Sequence, residues 1–537
     1  MRCPPAVLLL PALLLGSVLA AVSQPAPTTP NIPALPMPAA PRQPLPRGDA
    51  PGADPATLAA SGLALPALAP SNLRGLWVDG FGPGLRTPAE VAQMVSDAAG
   101  LGINALFVQA VRRGDCLCQR ASVPPAADIQ KGFDPLAEVV RLAHARHIKV
   151  LAWVSVTGAW NVSLPSAGPT QVFVQHGPGA RDSWLSRRPG GEWRSNADAW
   201  LDPGIPAAAD HMVRSAVSLV KNYDIDGLQL DRIRYPDGGD WGYSPVTLAR
   251  YRQETGAAGT PAPTDERWRA WKREQVTALV RRTVLEARAL KPGVIISAAT
   301  IVYGDGPADL NAFRATRTYS EVLQDWPAWM RGGLLDLNVI MNYKRDGVNG
   351  QEGWYDRWNA FLLTQRGPTA EAAAGTSMYL NAPEVTASQA GRATASGLGW
   401  VGYAYRTPTA EVYGGRQTQP QGLTALKGVI ETVPGLLVSG APTSASEWRP
   451  TVAARRAILG RVVGAFQPGG LSVTAAGPGG AALATVTTDA NGYYGFPDLP
   501  AGVVTVRVGN QSWQEALALG VNRFPNLLLR TLTRAGP

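Results

Sequence analysis

Cysteine is almost absent from this chain, with three among 537 residues. Cys3 precedes the first apolar run. Cys116 and Cys118 stand two apart and are not expected to bridge each other within a strand or loop, so no disulfide framework is expected. Histidine is nearly as scarce: His144, His147, His176 and His211 are the whole set, and no pair lies at metal-ligand spacing beside acids. His144 and His147, on or beside a helical stretch, read as structural. Neither a metal nor a cofactor is expected. No Gly-x-Ser-x-Gly elbow, P-loop or Gly-x-Gly-x-x-Gly after a strand occurs, which sets aside serine-elbow hydrolases, P-loop enzymes and dinucleotide enzymes. Charged residues make up only 17%, and the excess of 49 basic over 40 acidic residues is spread without a dense run. A diffuse +9 suits polyanionic surroundings such as a cell envelope, and no nucleic-acid module is visible. Beyond the opening residues nothing approaches a membrane span.

Those opening residues carry an export pattern: Arg2 as the positive end, Val7–Leu19 as the apolar segment broken by Pro11, and Ala21-Val22-Ser23 as a small-x-small cleavage site. Residues 1–23 therefore read as a signal peptide for a periplasmic, envelope or extracellular protein. Residues 24–70, rich in Pro and Ala, read as an extended tether.

From residue 71 to 415 strands and helices alternate. Strands are expected at Leu73–Val78, Ile103–Val108, Ile148–Val154, Ile225–Leu230, Val294–Ala299, Leu335–Met341, Gly375–Leu380 and Leu398–Ala404. Helices between them are expected at Pro88–Leu101, Pro135–Arg146, Ala207–Lys221, Asp265–Leu290, Ser320–Arg331, Trp354–Gln365 and Thr386–Ala395. Eight such units imply an α/β fold closed into a parallel (β/α)8 TIM barrel, and the long loops follow strands, on the face where such barrels place their sites. Residues 416–452 read as a connector. Residues 453–537 lose helical periodicity and read as a small all-β sandwich, expected to be dispensable for turnover.

The stretch Tyr223–Pro236 organises the barrel reading. Along its strand Leu228 and Leu230 share one face while Gln229 and Asp231 share the other. Asp231 then arrives at the carboxyl-terminal mouth, either as a catalytic carboxylate or as a cap or ion-pair partner of Arg232 or Arg234. Other strand ends bring Asp79, Gln109, Trp153, Asn342, Tyr343 and Tyr403, and the loop after the second strand adds Arg112, Arg113 and Asp115. Rings that stack on pyranose faces, with amides, arginines and acids for the hydroxyls, suit a sugar. A carboxylate pair about 5 to 10 Å apart suffices for glycosidic hydrolysis. The 16 Trp against nine Phe fit a carbohydrate surface and equally a large barrel core. Trp268 and Trp271, three apart on a helix, read as packing.

Several motifs in order resemble the glycosyl-hydrolase-like family 10 barrels. They are Leu73-Arg74-Gly75-Leu76-Trp77-Val78-Asp79, Val108 to Asp115, Phe133-Asp134-Pro135-Leu136, Val150 to Val154, Leu201-Asp202-Pro203-Gly204, Tyr223–Pro236, and Asp325 to Trp329 with Asp336 to Tyr343. The resemblance implies an exported hydrolase of bacterial polysaccharide, with peptidoglycan glycan strands among its substrates. It implies Asp231 as the leading catalytic residue, with Gln109, Arg113 and Asp115 lining the site. Substrate contacts are expected from these and from Asp79, Trp153, Asp202, Arg234, Tyr235, Asn342, Tyr343 and Tyr403. Where family members often carry a second acid after the strand-four Asp, this chain has Arg232. Asp115 is therefore the expected partner acid, with Asp346 as its rival. The alternative is a non-catalytic barrel that binds a glycan. Thr487 to Phe496, with Leu499-Pro500-Ala501-Gly502, resembles the carboxypeptidase regulatory-like (transthyretin-like) domain.

Overall fold

The computed structural model describes residues 70–529, except 367–369, 434–441, 445, 451 and 465–467. The export signal and all but the last residue of the tether lie outside the described residues.

Eight parallel strands close into a barrel: β1 (Arg74–Val78), β2 (Ala105–Val111), β3 (Lys149–Ser155), β7 (Gly227–Asp231), β8 (Ile295–Ile301), β9 (Leu337–Met341), β10 (Glu371–Ser377) and β11 (Gly399–Tyr403). The intervening β4 (Gly158–Asn161), β5 (Arg194–Ser195) and β6 (Asp198–Trp200) form a three-stranded antiparallel flap in the loop after β3. Side chains alternate as the pleat requires. Leu228 and Leu230 join the outer core under the helices, while Trp77, Phe107, Leu151, Leu337, Val339 and Val401 fill the barrel interior. Gln229 points inward and accepts from Trp77 Nε1 at 2.5 Å. Gly375 makes room for that indole: a Cβ there would stand 2.6 Å from the Trp77 ring.

Helix starts follow local chemistry. Thr87, Asp134 and Asp265 each accept from a first-turn backbone N–H, and Pro88 and Pro135 open their helices. The helix expected over Ser320–Arg331 is instead two short ones, Arg317–Ser320 and Trp326–Arg331. Leu323 breaks it with a left-handed φ of 62°, and Asp325 caps the second piece. The strand expected to run to Leu380 stops at Ser377 and passes into a 3-10 turn. Helices at Pro245–Thr255 and Gln419–Ile430 were not foreseen. The first buries only Thr247 and Tyr251, too little for a visible apolar stripe. Trp268 and Trp271 stack at 5.4 Å in a core cluster with Tyr243 and Tyr251.

Cys116 and Cys118 form a disulfide, contrary to expectation. An extended chain separates such residues by about 6.6 Å. Here bends after Cys116 bring the Cα atoms to 5.0 Å.

The carboxyl-terminal region is all-β, with β12 (Arg456–Val463), β15 (Tyr493–Phe496), β18 (Gly520–Arg523) and β19 (Leu527–Leu528) in one sheet. The other sheet holds β13 (Ser472–Ala476), β14 (Ala482–Thr487), β16 (Val503–Val508) and β17 (Gln511–Ala516). It is fastened to the barrel. Trp448 enters the barrel-interior cluster and donates to Glu371 at 3.1 Å, at the amino-terminal end of β10. Asp336, fully buried, accepts from Arg288 of the barrel at 3.0 Å and from Arg455 at 2.9 Å. Leu285 packs with Ala457 and Leu459, and Arg282 lies 3.5 Å from Asp489.

Candidate active site

A cleft of about 490 Å³ opens at the carboxyl ends of the barrel strands. Its walls are aromatic (Trp77, Phe81, Trp153, Tyr303, Tyr343, Tyr379, Tyr403), and its charged side chains are Asp79, Asp231, Arg113, Arg232, Arg234 and Lys344.

Asp231 is the last residue of β7 and 8% exposed. Its Oδ2 accepts from Trp153 Nε1 at 3.0 Å, and its Oδ1 accepts from the Arg232 backbone N–H at 2.7 Å. The second bond accompanies a left-handed turn at Arg232, φ 51°, which costs a non-glycine residue on the order of 1 kcal/mol. Both carboxylate oxygens therefore act as acceptors of N–H groups.

Asp79 follows β1 and is 2% exposed. Its Oδ1 accepts from the Phe81 backbone at 2.9 Å. Arg406 Nε lies 2.8 Å from Oδ2 but does not aim its N–H there, so the contact is one of charge without a directed hydrogen bond. Burial pushes the Asp79 carboxyl up, against the opposing pull of Arg406.

Around these acids the polar side chains fix one another. Gln109 accepts from the Gly80 backbone at 2.8 Å and donates to Ser155 Oγ at 3.0 Å. Arg113 donates to Ser155 Oγ at 3.1 Å, and its guanidinium lies 5.2 Å from the Phe81 ring centre. Arg234 donates to the Tyr235 carbonyl at 3.1 Å, leaving its buried Nε unpaired, as is Nη1 of Arg232. Burial, reinforced by Arg113, lowers the Arg232 guanidinium to about 10. Lys344 is lowered by burial to about 8 and makes one long contact, 3.4 Å, with the Val302 carbonyl. Tyr343 and Tyr403 stack with ring centres 5.4 Å apart, and burial raises both phenols, keeping them neutral.

Of the residues expected from sequence, the cleft gathers Asp231, Asp79, Gln109, Arg113, Trp153, Arg234, Tyr343 and Tyr403. Five others lie away from it. Asp115 has no exposure, pairs with Arg112 at 2.6 Å and accepts from the Arg113 N–H at 3.0 Å. The left-handed turn at Gly114, φ 74°, folds it back onto Arg112, so it is not the partner acid in the cleft. Asp346 is held by Arg392 at 2.9 Å and Gln389 at 2.8 Å. Asp202 is fully buried and accepts from the Tyr235 hydroxyl and Thr247 Oγ1, each at 2.9 Å, which takes Asp202 and Tyr235 together out of the cleft. Asn342 donates to the Tyr355 carbonyl and to Asn359.

Sequence reasoning missed Trp77, Phe81, Arg232, Tyr303, Lys344 and Tyr379 as cleft residues. Trp77, Phe81, Arg232 and Lys344 sit within two positions of residues that were recognised. Tyr303 and Tyr379 lie just past the ends of β8 and β10, where any barrel loop residue is a candidate. Among the described residues no group of three His, Cys, Asp or Glu is arranged to hold a metal, and no helix is long and apolar enough to cross a membrane.

Residues 72–365 match the family model described as glycosyl hydrolase-like 10. The chain is 30% identical over 257 residues to glycosyl hydrolase DigH of Escherichia coli (strain K12), covering 44% of this chain and 53% of that one. It is 24% identical over 270 residues to glycosyl hydrolase YngK of Bacillus subtilis (strain 168), covering 48% and 50%. The matched region is thus about half the length of the curated relatives. Among solved structures, the PgaB (BpsB) glycoside hydrolase domain from Bordetella bronchiseptica aligns with a TM-score of 0.47 at 15% identity, over 67% of this chain and 98% of that one.

Proposed function

This chain belongs to the glycosyl hydrolase-like 10 family, and we propose that it is an exported enzyme hydrolysing O-glycosidic bonds of a bacterial polysaccharide, with peptidoglycan glycan strands as the first substrate to try. One observation carries the reading. Asp231 and Asp79 are the two carboxylates lining a single aromatic-walled cleft at the barrel's carboxyl-terminal mouth. Their surroundings divide the work. Asp231, with an N–H on each oxygen, is the acceptor that a nucleophile or base must be. Asp79, pushed up by burial, is the group suited to keep a proton and deliver it to the leaving oxygen.

The step balances on these two groups. The proton on Asp79 passes to the glycosidic oxygen as its bond to the anomeric carbon breaks. The electron pair that replaces it comes either from a water that gives its proton to Asp231, or from Asp231 directly, in which case a water then displaces Asp231 from the anomeric carbon and returns a proton to Asp79. Trp153, Tyr343 and Tyr403 supply the ring surfaces that hold the sugar through this change, and the buried Trp77 lies beneath them.

Export is supported by the pattern of residues 1–23, and the Cys116–Cys118 disulfide suits an oxidising compartment. The test is to incubate the purified chain with isolated cell-wall glycan strands and a panel of other bacterial polysaccharides, and to follow new reducing ends and fragment masses. Shortened oligosaccharides from at least one glycan are expected. Intact strands across the whole panel would refute the reading.

A further inference from the structure

Strand β6 presents Asp198 and Trp200 on one face of the flap, and both meet the arginines of the cleft. Asp198 Oδ1 accepts from Arg113 Nε at 2.9 Å and from Asn161 Nδ2 at 2.7 Å, and its Oδ2 accepts from Arg232 Nη2 at 2.7 Å. The Trp200 ring lies 4.2 Å from the Arg232 guanidinium and 5.1 Å from that of Arg234. Ala199, between them, pairs in register with Trp160, on the opposite face. A three-residue strand thus orders three guanidinium groups that come from the loops after β2 and β7.

Left alone, Arg113 and Arg232 would repel each other. One buried carboxylate, 8% exposed, satisfies both. Against the penalty of burial, Arg113 and Arg232, with Asn161, hold the Asp198 carboxyl below the usual range.

We infer that Asp198 is a positioning residue for the reaction: it fixes Arg113 and Arg232 beside Asp231 and sets the charge under which Asp231 works. This rests on the reading of Asp231 as nucleophile or base. The other charged or titratable groups near Asp231 do not replace it. Asp79 keeps its proton, Tyr343 and Tyr403 stay neutral, and Arg406, Arg234 and Lys344 add further positive charge.

Neutralising Asp198 removes a negative charge and uncovers two positive ones, and both changes favour ionised Asp231. Because Asp198→Asn also releases the hold on Arg113 and Arg232, kcat/KM is expected to fall about ten- to a hundredfold. The acid limb of its pH profile is expected to move about one unit lower. Asp198→Glu keeps the charge, so its limb should stay at the wild-type pH while kcat falls through misplacement. A role in folding alone would lower the rate at every pH and leave the limb fixed.

Carbodiimide labelling of Asp231 against pH, read by peptide mass spectrometry, follows the same group without needing turnover. If the wild type releases no sugar, the hydrolase reading fails while the labelling still decides this inference. A labelling midpoint lower in Asp198→Asn and unchanged in Asp198→Glu is the expected result. Equal midpoints in the wild type and Asp198→Asn, or equally displaced ones in both variants, would overturn the assignment.

Discussion

Trp153 Nε1 donates to Asp231 Oδ2 at 3.0 Å, linking the ends of two adjacent barrel strands, β3 and β7. The indole on Oδ2 and the Arg232 N–H on Oδ1 together fix the orientation of the carboxylate, and the indole also lines the cleft wall. Trp153→Phe removes the donor and keeps a ring. We expect kcat to fall about tenfold, the worth of one hydrogen bond to a charged acceptor, with KM changed far less. Steady-state kinetics on a soluble glycan fragment checks this. A larger effect on KM than on kcat would mean that the indole serves binding alone.

Asp79 provides a pH signature. Activity that needs its proton is lost as pH rises through its folded-state pKa, which burial places above the ordinary carboxylate range. The basic limb of kcat/KM should therefore vanish in Asp79→Asn, along with most activity toward substrates with poor leaving groups. A substrate with a good leaving group should keep a much larger share of its wild-type rate. If both substrates lose activity equally, the proton comes from elsewhere.

The strand alternation made the barrel readable, because eight apolar runs separated by capped helices leave few other closures. Asp231 and Asp79 were legible for a related reason, each standing at the end of a strand whose facing the leucines and valines dictate. Asp115, expected as the partner acid, and Asp202, expected as a substrate contact, both lie outside the cleft, because position along a loop does not reveal where the chain turns back. Gly114 and the Tyr235–Asp202 bond decide that, and both depend on tertiary packing. Asp198 and Trp200 had no signal at all. They lie in an irregular loop and acquire their role only when the flap strands pair.

Lys272 tests the interior electrostatics. It is buried among Tyr235, Tyr243 and Trp268, donates to the Trp241 carbonyl at 2.7 Å, and is lowered by burial to about 7. The unfolded chain holds this proton up to its ordinary pKa near 10.4, whereas the folded chain releases it from about 7. Between those values the unfolded state binds more protons, so this group's contribution to stability rises with pH. The Tm of wild type minus that of Lys272→Met should therefore increase from pH 7 to pH 10, which calorimetric scans read directly. A difference flat with pH would contradict the assignment.

The sandwich, expected to be dispensable for turnover, is fastened to the barrel, and that fastening bears on stability. Trp448 fills the amino-terminal end of the barrel, and its loss should cost about 3 to 5 kcal/mol. Truncation before Pro442 should also strand Arg288 and Asp336 without Arg455. We expect the truncated barrel to be markedly less stable in urea than the full chain, with Trp448→Ala intermediate. Equal midpoints for all three would show that the contacts contribute nothing.

Asp231 takes part in breaking the glycosidic bond in the proposed reaction, and Asp231→Asn tests that part. The substitution keeps the shape and removes the charge. Reducing-end release from cell-wall glycan strands is measured for wild type and variant, with glycan binding by calorimetry in parallel. Turnover reduced at least about a thousandfold, with binding nearly intact, is the expected result. Equal turnover in both would remove Asp231 from the chemistry. Firm binding in both with turnover in neither would make the barrel a glycan-binding protein.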